Sequence, residues 1–328
     1  MARAWHLMSR PKGLPTDENF ALKEFDLPSL AEGQVRIRNQ WLSVDPYMRG
    51  RMNDVKSYVP PFQLDQPMDG GAVGEIVESR ADGLAVGDRV LHMSGWRDEA
   101  VADARAVNKL PDLGAEPQAF LGNLGVTGAT AYFGLLDVAS AKAGDIVFVS
   151  AAAGAVGSAV VQIAKAKGMT VVGSAGGEDK CEFVRSLGAD HSIDYKAQPI
   201  LKGLAAAAPE GIDVYFDNVG GDHLDAAFAL AKMRARFAIC GMIEGYNKAE
   251  PSSFRFMMRV IAMRIRMQGF IVFDFQSRMD EFYREMGQLL ASGRVKSRDT
   301  VVDGIESMPD AFRGLFSGEN VGKMLVRL

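Results

Sequence analysis

The sequence predicts an α/β protein in two parts, a doubly wound parallel sheet joined to a mostly antiparallel β domain. Three observations carry that expectation. Residues 1–110 are strand-like and broken by Gly, Pro and Asp. From about residue 117, short apolar strands alternate with amphipathic helices. A chain of 328 residues, 48% of them hydrophobic, can also bury the cores of two domains. The expected division is 1–124 for the first domain, with 297–328 returning to it, and 125–296 for the second.

In the first part, QVRIRNQWLSV (34–44), GAVGEIVES (71–79), DRVLHM (88–93) and AVADARAVNKL (100–110) read as strands, because apolar and β-branched residues recur between turn formers. In the second, TGATAYFGLLDVA (127–139) reads as helix and DIVFVS (145–150) as a short buried strand. VGSAVVQIAKAKG follows, with Val156, Val160 and Ile163 on one helical face and Gly168 at its end. TVVGSA, EDKCEFVRSLG, HSIDY, GIDVYFDNV, RARFAIC and RMQGFIVF continue the alternation. The last stretch ends in a strand-like KMLVRL.

Composition excludes several function classes. A formal charge of −4 and a pI near 5.7 leave no basic footprint for nucleic acid. No apolar run reaches membrane-spanning length. Two cysteines, Cys181 and Cys240, form no disulfide framework and suit a reducing compartment, so a cytoplasmic protein is expected.

The chemistry concentrates in AAAGAVG (151–157), which runs from a strand into a helix without one polar side chain. Against G-x-G-x-x-G it places Ala152, Gly154 and Gly157 at the three glycine positions. There, small residues permit a tight turn, backbone approach to a pyrophosphate, and close helix–strand packing. Ala152 departs from the strict pattern. An NAD site carries Asp or Glu at the end of the next strand, about 20 residues on. Here that strand ends VVGSAGGEDK, with Gly173, Ser174 and a Gly176–Gly177 turn in place of a carboxylate, and Lys180 just beyond. Small donors and a cation suit a 2′-phosphate, and Tyr195 falls at the same end, so the cofactor is read as NADP(H). Taken alone, Lys180 can equally be a solvated helix lysine.

These segments, with YFDNVGG (215–221), FAICGMIEGYN (237–247), MQGFIV (267–272), GENVGK (318–323) and LSVDPYMRGRM (42–52), resemble one branch of the medium-chain dehydrogenase/reductases over essentially the whole chain. It is the zinc-independent, NADPH-dependent branch of alkenal, prostaglandin and plant double-bond reductases and bacterial curcumin-reductase-like enzymes. The resemblance implies a GroES-like domain for substrate and a Rossmann domain for NADP(H). It assigns the pyrophosphate loop to Ala153, Gly154, Ala155, Val156 and Gly157, and the 2′-phosphate end to Lys180 and Tyr195. Asn218, the turn Cys240, Gly241, Met242 and Ile243, the segment Phe270, Ile271 and Val272, and Asn320 would line the rest of the cofactor. Thr130 and Tyr246 complete the set.

Zinc-dependent relatives ligate through Cys and His of the first domain, where this chain has Val44 and Asp69, so no metal is expected. His6, His92, His191 and His223 show no ligand spacing. Two further departures bear on the reaction: Thr127 replaces a proline, and Ala262 replaces a tyrosine considered catalytic in other branches. Hydride delivery to an activated alkene builds an enolate that needs hydrogen-bond donors. Tyr58 and Tyr246 are the catalytic candidates, and Tyr47 joins them as a substrate contact. The expected substrate is a small apolar enal or enone. A quinone reductase and a non-catalytic NADPH-binding module stand as alternatives. The unbranched methionines of FRFMMRVIAMRIRM (254–267) can form an adaptable wall for bulky apolar substrates, but core packing is the expected reading, and the same region implies a homodimer by resemblance.

Overall fold

The computed structural model describes residues 1–328, which divide into two compact units. The first comprises Met1–Leu121, Asp299–Asn320 and Met324–Leu328; the second comprises Gly122–Arg298 and Val321–Lys323.

In the first unit, the long strand Gln34–Ser43 pairs antiparallel with Ala72–Ser79, with Glu99–Asp103 and with Lys323–Arg327. Ala72–Ser79 continues to Arg89–His92, and that strand to Asn108–Lys109. A separate ribbon pairs Ala2–Leu7 with Phe20–Phe25, two strands the sequence pattern did not announce. Their signal is weak because alanines fill core positions of the first and charges interrupt the second. The C-terminal helix Met308–Ser317 lays Phe312 edge-on against the buried Trp96, 5.9 Å between centroids, inside one cluster with Leu42, Val44, Met48 and Val326.

The second unit is a six-stranded parallel sheet. Its strands are Ile146–Val149, Thr170–Ala175, His191–Asp194, Ile212–Asp217, Ala231–Ile239 and Arg266–Gly269. Counted along the chain, their spatial order is 3-2-1-4-5-6, the doubly wound arrangement the alternation predicted. The central strands Ile146–Val149 and Ile212–Asp217 are buried almost throughout, apart from Ile146 and Asp213, because helices cover both faces of such a sheet. Helix Ala155–Ala166 is buried from Gly157 to Ala164, and a lysine at its C-cap precedes Gly168, whose φ of +80° ends it. Helix Val126–Phe133 passes into one π-helical turn at Gly134–Val138.

The Met-rich segment corrects an expectation. Ile265 is buried and Phe254, Phe256, Val260 and Met263 pack partly against the core, but Met258 is 74% exposed and Ile261 72% exposed. The strand Arg266–Gly269 pairs only with Ala231–Ile239 and ends the sheet, so its outer edge meets no further strand.

Candidate functional site

The loop after Val149 is built by its backbone. Ala151 takes the left-handed turn, φ +49°, and Ala152 N donates to Ser174 O at 2.8 Å. A Cβ added at Gly157 would lie 2.2 Å from Ala151 O, so helix and loop approach as closely as a glycine permits. The methyl of Ala152, in the first glycine slot, is accommodated because its neighbour across the strands is Gly173, where a Cβ would come within 2.8 Å of that methyl. Gly154 forms a bridge with Gly322, and Gly322 N donates to Ala153 O at 2.7 Å. This contact, from the short excursion Val321–Lys323, was not read from the sequence. No side chain caps the helix at Gly154 and no acid occupies its first turn, so the amides of Ala155, Val156 and Gly157 begin a helix whose positive end suits an anion.

At the end of the second strand, Tyr195 lies against the glycine pair. A Cβ on Gly176 would sit 2.7 Å from the Tyr195 hydroxyl. Burial, then the Asp194 carboxylate, raises that phenol above its ordinary range and keeps it a donor. His223 meets the Tyr195 ring edge-on at 5.2 Å. Lys180 projects from helix Glu178–Ser186; burial, then the Lys196 ammonium, lowers it from the usual lysine range.

The DNVGG turn is organised by a residue outside the predicted set. Asp217 is fully buried, and its Oδ1 accepts from Tyr215 OH at 2.6 Å, Ser150 Oγ at 3.2 Å, Val219 N at 2.9 Å and Gly220 N at 2.8 Å. Its carbonyl accepts from Cys240 N and Gly241 N at 2.9 and 3.0 Å, which joins the turn at Cys240–Ile243 to the DNVGG turn. Burial raises the Asp217 carboxyl, the largest effect on it, against those donors. Asn218 donates its amide to Ser150 O at 2.7 Å and accepts from Ile243 N at 3.2 Å. Burial also pushes the Cys240 thiol up to about 12, so it is no nucleophile. Met242 N donates to the Tyr246 hydroxyl at 3.4 Å. Thr130 spends its hydroxyl on Val126 O, 2.6 Å away in its own helix. Gly134 makes room for Phe270, whose ring stands edge-on to Phe216 at 6.2 Å, and Ile271 and Val272 follow, half-buried. Asn320 belongs to the first unit, directly before Val321–Lys323.

Tyr47 and Tyr58 also lie in the first unit, whereas Tyr246 is in the second. Tyr47 starts the short helix Tyr47–Arg51; burial, then Asp45, raises its phenol, with a smaller effect from Tyr58. Tyr58 is 56% exposed on a loop closed at its base. There Phe62 N donates to Arg51 O at 2.7 Å, Arg51 Nε donates to Pro60 O at 3.0 Å, and the guanidinium sits 4.1 Å over the Phe62 ring. The positions that would ligate zinc do not fit a metal. Val44 is a buried hydrocarbon, and Asp69 is committed to Arg97 at 2.9 Å and Arg51 at 3.6 Å. No group of three or more His, Cys, Asp or Glu side chains is placed to hold an ion.

Comparison with known proteins agrees with this geometry. Residues 3–110 match the family described as the N-terminal domain of oxidoreductase, and residues 155–292 that described as zinc-binding dehydrogenase. The chain is 44% identical to the NADPH-dependent curcumin reductase of Escherichia coli K12, over 99% of this chain and 96% of the relative. It is 40% identical to prostaglandin reductase 1 of Mus musculus, over 99% of both chains. Among solved structures, CurA of Vibrio vulnificus in complex with NADPH superposes with a TM-score of 0.94 at 45% identity, covering 99% of this chain and 98% of that one. With a glycine-built dinucleotide loop, a zinc slot filled by Val44 and Asp69, and relatives of this kind along its whole length, the chain belongs to the zinc-independent medium-chain dehydrogenase/reductases, in the branch of the curcumin and prostaglandin reductases.

Proposed function

We propose that the protein is an NADPH-dependent reductase of the carbon–carbon double bond of α,β-unsaturated aldehydes and ketones. The observation that carries the cofactor assignment is the end of the second strand. There the Gly176 backbone, the Tyr195 hydroxyl and Lys180 take the place of the carboxylate that a ribose-binding NAD site presents. The relatives' names, a curcumin reductase, a prostaglandin reductase and a structure holding NADPH, support the same reading.

The residues fit the group. Ala153–Gly157 would receive the pyrophosphate on amides that no side chain obstructs, Lys180 and Tyr195 the 2′-phosphate, and Asn218, Cys240–Ile243 and Phe270–Val272 the remainder. Bound NADPH supplies the hydride for the β-carbon. The chain's own task is to hold the substrate and to donate to the oxygen on which charge develops. Tyr58 and Tyr246 are the donors, Tyr47 lines the substrate, and water can return the proton to the α-carbon. No metal is required, because Asp69 is held by two arginines and Val44 offers no donor.

The edge strand and the exposed methionines support a homodimer, since an unpaired strand edge beside exposed apolar side chains is a template for a second copy. No helix is long and apolar enough to cross a membrane, and a cytoplasmic, small-molecule enzyme is the reading proposed. The deciding experiment is a side-by-side assay of several enones and a naphthoquinone with NADPH and NADH, with and without prolonged chelation. Enone turnover with NADPH that survives chelation is expected. Quinone turnover alone would move the protein to the sister activity.

A further inference from the structure

Lys196 has no place in the site as read from the sequence, yet three side chains and one carboxylate organise around the Gly176–Gly177 turn. A Cβ on Gly176 would lie 3.0 Å from Lys196 Cε as well as 2.7 Å from the Tyr195 hydroxyl, so the lysine stem folds over the same glycine as the phenol. Asp194 Oδ1 accepts from Gly177 N and from Lys196 N, both at 2.9 Å, and so ties the glycine turn to the Tyr195–Lys196 segment. Those backbone bonds hold Asp194 below the usual carboxylate range, which leaves a negative charge at the base of the site. Lys180 approaches from the helix and senses the Lys196 ammonium directly.

We infer that Lys180 and Lys196 form a two-cation clamp on the phosphate of the cofactor's adenosine ribose, with Lys196 a specificity-determining residue for NADPH over NADH. The inference rests on the NADPH reading above. Its physical basis is charge balance. A phosphate monoester carries roughly 1.5 to 2 negative charges at neutral pH. Lys180 alone would face that phosphate with Asp194 already beside it, one cation against nearly three negative charges. With Lys196 beside Lys180, two cations face the phosphate and the Asp194 carboxylate together. The other acids nearby do not add to the burden equally: Glu178 is paired with Arg185, and Asp179 points from the first turn of its helix, where the dipole favours it.

The test uses the full chain and compares Lys196→Gln, Lys196→Arg and Lys180→Gln. Kd values for NADPH, NADH, 2′,5′-ADP and 5′-ADP are measured by fluorescence titration and competition at several salt concentrations. Lys196→Gln should weaken NADPH and 2′,5′-ADP roughly tenfold, the scale of one exposed charge-assisted contact. It should leave NADH and 5′-ADP within about twofold and flatten the salt dependence of NADPH binding. Lys196→Arg should restore most of the loss. If the parent prefers NADPH and Lys180→Gln removes that preference while Lys196→Gln keeps it, the second cation is wrong and the NADPH reading stands. If the parent binds NADPH and NADH equally, the NADPH reading fails and takes the clamp with it.

Discussion

Two loops of this molecule are made in opposite ways. The loop 151–157 has no polar side chain; it is shaped by a glycine that admits no Cβ, an alanine with positive φ, and amide contacts to Ser174 and to Gly322. The loop 52–62 presents Tyr58 and Val55 to solvent, 56% and 58% exposed, and its base is held by Arg51, by Arg49, which donates to Asn53 Oδ1 at 2.8 Å, and by Arg10, which donates to Met52 O and Phe62 O at 3.1 and 2.7 Å. The first is shaped by close backbone approach, so almost any substitution that adds volume disturbs it. The second presents side chains on a fixed stem, so its tip can change without unmaking the fold. The difference separates a loop defined by close backbone approach from a loop that can vary its side chains on an unchanged stem.

The largest effect should come from the exposed loop. Tyr58→Phe is expected to lower kcat/KM for enones by roughly ten- to a thousandfold, the upper end being the loss of one oxyanion donor. NADPH affinity should stay near the parental value. Parental rates on several enones would make Tyr58 a packing residue and leave the oxygen to the cofactor ribose, Tyr246 or water.

A property shared by the two units limits where that comparison can be made. Burial pushes His92, in the first unit, and His223, in the second, down to about 4. Both folded values lie below the unfolded one, near 6.5. Between these pH values the unfolded chain binds protons that the folded chain refuses, so stability is full above pH 6.5 and is lost as pH falls toward 4. Each histidine contributes up to about 3 kcal/mol to that loss. Melting temperature should therefore drop steadily from pH 7 to pH 4 in thermal scans. A flat profile over that range would show that the two rings take up protons in the folded protein.

The backbone-built loop should respond to a single methyl. Gly157→Ala drives a Cβ toward Ala151 O and is expected to cost about 1–3 kcal/mol by overpacking. NADPH affinity should fall with it, measured by cofactor titration beside a thermal melt. Gly154→Ala is the sharper control: its Cβ would meet Ala151 O at 3.3 Å and its φ of −81° suits any residue, so it should be far milder. Equal effects at the two glycines would break the argument from close approach.

The smallest effect concerns the stem of the Tyr58 loop. Arg51→Met removes the cation over Phe62 and the bond to Pro60 O, worth about 1 kcal/mol for the ring contact. Steady-state kinetics should show KM for enones rising severalfold, with NADPH affinity unmoved. A change confined to NADPH would place Arg51 with the cofactor instead of the loop.

Much of the second unit was legible because its signals are local. An apolar strand, a run of small residues and an amphipathic helix are neighbours in sequence, and the spacing of VFVSAAAGAVG is itself the constraint that a pyrophosphate loop imposes. The missing carboxylate after VVGSA is equally local. Strands Ala2–Leu7 and Phe20–Phe25 were not legible, because their pairing partner is each other and neither alternates strongly alone. The exposure of Met258 and Ile261 was misread for a related reason: apolar composition announces burial but not where the sheet ends.

By itself the chain's order of residues determined the two-part architecture, the dinucleotide loop, the absence of zinc ligands at Val44 and Asp69, and the candidates Lys180 and Tyr195. Tertiary structure alone decided three things. It set Gly322 against Ala153 from 169 residues away, made Asp217 the joint between the DNVGG turn and the turn after Ile239, and folded Lys196 over Gly176 beside Tyr195. The physical reason is common to all three. Each depends on hydrogen bonds or close approach between turns at the ends of different strands. Strand order and register, which no local pattern encodes, decide which turns become neighbours.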